Sequence, residues 1–215
     1  MNETQTATCE RFTPVDTKST TLIEGLPGHG LVASIVVDQI TDQLGLNYHA
    51  VIRSEEFPRV SSFNDGLVQD TVRIYAGDDP SVMTLKSDIP IPTDAASALS
   101  DCIINEFAAE CQRAVFLAAA PAQNEESRGQ VIGLGTNQAM KDDLITAGVD
   151  IASDAGVVGG ITGALVNACY QADLPAPLKA EAERIQSRKA QIVEELQSAK
   201  EAEQSTSIQA RAMYQ

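Results

Sequence analysis

Residues 20–54 read TTLIEGLPGHGLVASIVVDQITDQLGLNYHAVIRS. The run Thr20-Thr21-Leu22-Ile23-Glu24 is short, β-branched and apolar, as a strand requires, and it breaks at Gly25-Leu26-Pro27-Gly28-His29-Gly30. After the break the apolar period lengthens: Leu31, Ile35, Val36, Ile40 and Leu44 share one face of a helix, and Gly45 follows as a C-cap. Tyr48 to Ser54 returns to strand character. Strand, glycine-rich turn, helix and strand together predict a β-α-β unit.

Downstream, Asn64-Asp65-Gly66 is a hairpin signal. The runs around it, Thr71–Tyr75 and Val82–Lys86, alternate with period two and suggest a meander. Pro90 and Pro92 end the sheet segment, and Thr93 or Asp94 is placed to cap a helix running to about Cys111. Val115–Ala119 and Val131–Gly135 are continuous apolar runs of the kind buried on both faces of a sheet. Gln123–Gln130 reads as a loop, Gln138–Ala147 as a helix, and Gly156–Gln171 as a glycine-rich entry into an apolar helix. Strands alternating with helices predict an α/β chain with helices sandwiching a sheet.

The organisation expected is a polar arm over 1–19, an α/β domain over 20–175, a helix over 176–203 and a flexible tail over 204–215. The helix is expected because the composition turns to Ala, Glu, Lys and Gln after Pro177, with Leu178, Ala182, Ile185, Ile192 and Leu196 at heptad spacing. It can dock on its own domain or stand off to meet a partner.

Thirty acidic residues face 15 basic ones, a formal charge of -15 in 215 residues, and the acids are spread along the chain. Such a chain repels phosphate backbones and anionic lipid, so neither nucleic acid nor membrane is an expected partner. The acidity reads as solubility, or as adaptation to a high-salt cytoplasm where repulsion is screened; six Lys among the 15 bases agree with the halophilic reading. Residues 1–20 lack the apolar core of a signal peptide, so a cytoplasmic location is expected. Cys9, Cys102, Cys111 and Cys169 form no CxxC pair and read as reduced, mostly buried thiols.

The strand-to-helix turn is where backbone N–H groups could hold a phosphate, yet it fits neither GxGxxG nor GxxxxGK[ST]. The plain reading is a structural turn. His29 within it has no nucleophile in a recognisable setting, and His49 lies in a strand as a packed side chain. Adjacent acids such as Glu55-Glu56 and Asp142-Asp143 diverge and are most simply solvated. No catalytic, metal or cofactor site is expected.

A strand leading into GLPGHGLVASIVVDQI, Phe57-Pro58 about 30 residues on, an Asp-Gly hairpin and a late GVVGGITGALVNAC resemble the proteasome assembly chaperone family of archaea and bacteria. The resemblance spans roughly residues 20–175. It implies a three-layer α/β/α sandwich of the phosphorylase/hydrolase-like type without established enzymatic activity, with Gly25, Pro27, Gly28 and Gly30 forming the turn of the family motif. Many relatives carry Leu-Leu-Ala-Glu-Thr and Pro-Asp-Pro after the glycine-rich helix, where this chain has Pro177-Leu178-Lys179-Ala180-Glu181.

Met213-Tyr214-Gln215 is a hydrophobic residue, a Tyr and a third residue, the order some relatives and proteasome activators insert between α-subunits of the core particle. A terminal carboxylate can pair with a basic side chain while the Tyr ring packs and its hydroxyl finds a polar partner. The function expected is an ATP-independent, homo-oligomeric proteasome assembly chaperone or core-particle binding protein with proteasome α-subunits as partners, several weak tails adding by avidity. The rival readings are a nucleoside-phosphorylase or hydrolase-like enzyme using the Gly25–Gly30 turn as an anion site with Arg53 or Arg59, and a binding module for another assembly.

Overall fold

The computed structural model describes residues 7–13, 20–107, 110–120, 129–153, 155–174 and 177–181. All belong to one compact unit, Met1–Ala182; a second unit, Glu183–Gln215, lies outside the described residues. In chain order the elements are β1 (Thr8–Arg11), β2 (Thr20–Gly25), a 3-10 turn (His29–Leu31), α1 (Val32–Gln43), β3 (Asn47–Arg53), β4 (Ser62–Asn64) and β5 (Leu67–Gln69). There follow β6 (Val72–Asp78), β7 (Ser81–Lys86), a 3-10 turn (Thr93–Ala95), α2 (Ala96–Phe107), β8 (Cys111–Ala118) and β9 (Val131–Gly135). The last are α3 (Gln138–Thr146), β10 (Asp150–Ile151), α4 (Gly160–Gln171) and β11 (Pro177–Glu181).

Among the described residues nine strands form one mixed sheet in the order β1-β3-β6-β7-β2-β8-β11-β9-β10, and β4 and β5 form a separate ribbon. The α/β class therefore holds. β2 runs parallel to both β7 and β8, the buried centre expected of apolar strands. Alternation along β7 distributes the helices. Met83 and Leu85 join the core that holds Leu99 and Ile103 of α2 and Ile161 and Leu165 of α4. Between them Thr84 points the other way and meets Thr41 of α1 at 2.9 Å, Oγ1 to Oγ1.

Several expectations are corrected by pairings that no local pattern encodes. β3 does run in the same sense as β2, but the antiparallel hairpin β6–β7 is inserted between them, so the opening is not a simple crossover pair. Asp65 and Gly66, with φ of 48° and 75°, do make a two-residue hairpin turn, flanked by the pair Asn64 and Leu67. It closes β4–β5, however, while β6 and β7 turn on their own at Asp79-Pro80. Pro92 rather than Thr93 or Asp94 precedes the 3-10 turn leading into α2, and that helix stops at Phe107 so that Cys111 can open β8.

The polar arm also contributes a strand, β1, which pairs antiparallel with β3 at the sheet edge. The expected helix from Leu178 begins instead as strand β11, parallel to β8 and antiparallel to β9. A slot between two strands with unpaired backbone outweighs the weak helix preference of Pro-Leu-Lys-Ala-Glu. The rest of that expected helix, 182–203, and residues 123–128 of the loop expected over Gln123–Gln130 lie outside the described residues.

In α1 the buried side chains are Ala33, Val37 and Thr41, whereas Leu31 and Leu44 of the expected apolar face are exposed. The reason lies in the strand beneath: a Cβ on Gly25 would fall 2.3 Å from Val37 Cγ2 and 2.7 Å from the Ala33 carbonyl oxygen. The helix rests on the glycine backbone, and only small or β-branched residues fit that seam. All four cysteines are unpaired, with Cys102, Cys111 and Cys169 buried; burial pushes the Cys111 thiol up to about 12 and Cys169 to about 11.

Candidate functional site

The parallel strands β2, β7 and β8 end on one edge of the sheet, the edge where α/β folds place ligands. There the chain turns through Gly25–Gly30, and Gly156–Gly160 leads into α4. Leu26 and Pro27 are buried under the turn, and Gly28, His29 and Gly30 are exposed above it. Gly30 (φ 67°) and Leu31 (φ 56°) both adopt left-handed backbone. For a leucine that conformation costs about 1–2 kcal/mol.

Glu24, the last side chain of β2 before the turn, is 0% exposed. Its Oε1 accepts the Leu26 N–H at 2.9 Å, and the Thr162 hydroxyl from the first turn of α4 points at both oxygens from 3.4 and 3.5 Å. The Leu117 N–H of β8 is a further donor. Burial raises its pKa to about 8 against the opposing pull of the Leu26, Thr162 and Leu117 hydrogen bonds. The carboxyl is therefore mainly protonated at neutral pH, and it pins the turn, β8 and α4 to the end of β2.

This arrangement offers an anion little. The donor nearest the strand end serves Glu24, and Lys86, paired in register with Gly25, is bonded to Asp38. Arg53 sits three strands away at the end of β3, about 14 Å at ordinary strand spacing, bonded to Glu10 and, at 3.0 Å, to Asp70. Arg59 lines a hollow beside Arg53, away from the turn. His49 is buried, its Nδ1 2.7 Å from the Thr13 carbonyl oxygen, and burial holds its pKa below the usual value. Among the described residues no group of three or more His, Cys, Asp or Glu could hold a metal ion, and no helix is long and apolar enough to cross a membrane.

Of the residues singled out in the turn, Gly25 and Gly30 are required by close packing and by φ, and Pro27 is buried. Gly28 is extended, with open space where a Cβ would stand. Met213, Tyr214 and Gln215 lie outside the described residues. Sequence reasoning missed Glu24 and Thr162; the available signal was an acid ending an apolar strand immediately before the glycine.

The model of the PAC2 family matches residues 22–192, which include both glycine-rich segments and Glu24. The chain belongs to the PAC2 family. It is 30% identical over 149 residues to the uncharacterized protein MJ0106 of Methanocaldococcus jannaschii, covering 69% of this chain but only 60% of that relative's length. Among solved structures, the fold resembles Pyrococcus furiosus PbaA, described as an archaeal homolog of proteasome-assembly chaperone. The TM-score is 0.74 at 19% identity, over 96% of this chain and 99% of that one. It also resembles Pyrococcus furiosus PbaB, described as an archaeal proteasome activator, with a TM-score of 0.72 at 14% identity over 83% and 81%. At these identities the likeness establishes the shared fold. The PAC2 turn of this chain is thus a packed, internally bonded corner.

Proposed function

We propose that this PAC2 protein is an ATP-independent proteasome assembly chaperone or core-particle binding protein that works as a homo-oligomer and needs no catalytic residue. The observation that carries the reading is the family match over residues 22–192, together with a fold shared with two archaeal proteins described in proteasome terms. The finer part of the proposal is that Met213, Tyr214 and Gln215 dock between proteasome α-subunits, and it rests on the sequence alone.

The test is binding of the full chain to α-subunits and to assembled core particle at high salt, beside Tyr214→Ala and a variant lacking residues 213–215. Binding lost in both variants supports tail docking. Binding kept in both moves the contact onto the folded unit. No binding by any form removes the proteasome reading. A thermal upshift with inorganic phosphate would then favour the enzyme reading through ligand linkage.

A further inference from the structure

Cys9 on β1 and Cys102 on α2 stand far apart in the sequence, yet the fold brings their thiols together. In the antiparallel register of β1 with β3, Cys9 is opposite Ile52, and directly opposed side chains share a face of the sheet. Ile52 belongs to the core that Leu99, Cys102 and Ile103 of α2 also fill. Cys9 packs against that core from the edge of the sheet, half-buried, and its thiol is hydrogen-bonded to that of Cys102.

Arg11, two residues on and therefore on the same face of β1, holds the strand over the helix. Its guanidinium donates to the Glu110 carboxylate at 2.8 Å and to the Glu106 carbonyl oxygen, and it lies 4.6 Å from the centre of the Phe107 ring. Among the described residues β1 pairs on one side only, with β3, so these contacts with the end of α2 are what fasten its inner face.

The four cysteines differ in reactivity. The Cys102 hydrogen bond, with help from the Arg11 charge, holds the Cys9 thiol below its usual value against burial and the Glu106 and Glu110 charges. Cys102, the other member of that bond, is pushed up by it and by burial. Cys111 and Cys169 are buried and are raised as well, chiefly by burial. One reachable thiol with thiolate character beside one buried thiol is the arrangement of an attacking and a resolving cysteine.

We propose that Cys9 and Cys102 form a reversible dithiol–disulfide site that fastens β1 to α2, with a low-molecular-weight disulfide as the oxidant. The Cys9 thiolate attacks one sulfur of the small disulfide, forming a mixed disulfide on Cys9 and releasing one small thiolate. That thiolate takes the Cys102 proton, and the Cys102 sulfur attacks Cys9 and displaces the second small thiolate. The second thiolate takes up the proton that Cys9 lost on ionising. Two protein thiols become one disulfide, and the oxidant is reduced by two electrons to two small thiols. The bond closes a loop of about 90 residues, long enough for a cross-link to stabilise the folded chain strongly. The site is independent of the proteasome reading and is measured without any proteasome subunit.

The test equilibrates the reduced full chain with rising ratios of glutathione disulfide to glutathione, quenches with acid and maps peptides by mass spectrometry without reduction. An intramolecular Cys9–Cys102 bond is expected, reversed by excess glutathione, while Cys111 and Cys169 stay as thiols. Cys102→Ser should stop at glutathione bound to Cys9; should that variant fold poorly, Cys102→Ala gives the same readout, and the wild-type map needs no variant. In the reduced chain iodoacetamide should modify Cys9 at least tenfold faster than Cys111 or Cys169. Oxidation should raise the Tm by at least about 5 °C and slow hydrogen exchange in β1, and neither change should occur in Cys9→Ser. A bond between any other pair, cross-links between chains, or a wild type that keeps both thiols in glutathione disulfide alone would each overturn the proposal. So would a Cys9 alkylated no faster than Cys111, or an oxidised chain no more stable than the reduced one.

Discussion

Glu24 and Phe63 both invert the usual rule of burial, and in opposite ways. At the end of β2 a carboxyl is fully buried, while on the β4–β5 ribbon a phenylalanine stands mostly in water. The first inversion is answered inside the chain. Leu26, Leu117 and Thr162 supply donors, and the proton stays on. The second has no answer within the described residues, although Arg73 ties the base of the ribbon in place through Gln69 and Asp88. A buried polar group with its partners present is a matter of architecture, whereas a rigidly presented apolar group without them points to another molecule.

The largest break would come at the packed corner. Gly25→Val places carbon where Val37 and the Ala33 carbonyl already stand, so a loss of about 3 kcal/mol or more is expected by urea unfolding, with a fall in yield. A loss under about 1 kcal/mol would mean that α1 does not rest on β2 this closely.

Arg73→Met keeps the side-chain stem and removes the grip on the ribbon. Because Asp88 is half-exposed and can turn to water, a loss of about 1–3 kcal/mol is expected. Hydrogen exchange should also rise across 62–69 and stay unchanged in α4. Uniform change across both regions would contradict a local anchor.

The corner's own chemistry is read by pH. The Glu24 carboxyl titrates at about 8 in the folded chain against 4.5 as the ordinary value. The folded state therefore keeps a proton that the unfolded state releases between those limits. Stability from this group is full below about pH 4.5 and declines as pH rises toward 8. Glu24→Gln removes the decline, so the variant should exceed wild type by about 1–3 kcal/mol at pH 8 and by nothing at pH 4. A pH-independent difference would place the carboxyl in water.

Smallest is the expected effect of Phe63→Ser on the stability of the monomer, within about 0.5 kcal/mol in dilute solution. A larger loss would show that the ring is packed on its own chain, and the contrast with Glu24 would disappear.

Where a feature depends on neighbours in the chain, the sequence was a sound guide. The strand at Thr20, the helix after Gly30, the C-cap at Gly45 (φ 58°) and the Asp65-Gly66 turn follow from periodicity and from the backbone freedom of glycine, which act over a few residues. The late glycine-rich segment likewise led into the helix α4. The candidate turn was found for the same reason, and its residues were assigned without knowing what lay beneath them.

What sat beneath was decided by distant pairing. Glu24 shares a face with Leu22 on a strand flanked by β7 and β8, and its burial there depends on Leu117 and Thr162, which lie 93 and 138 residues further along. β1 and β11 look polar or helical in isolation, and each became a strand because a neighbour offered unpaired backbone. The hydrophobic period of α1 pointed to Leu31 and Leu44, but the bare backbone of Gly25 drew Ala33 and Val37 inward. By itself the sequence determined which segments are strands, turns and helices near the PAC2 turn, because those preferences are local. Only the tertiary structure decided which acid is buried, which edge is filled and which apolar side chains stay in water, because burial is set by what arrives from elsewhere in the chain.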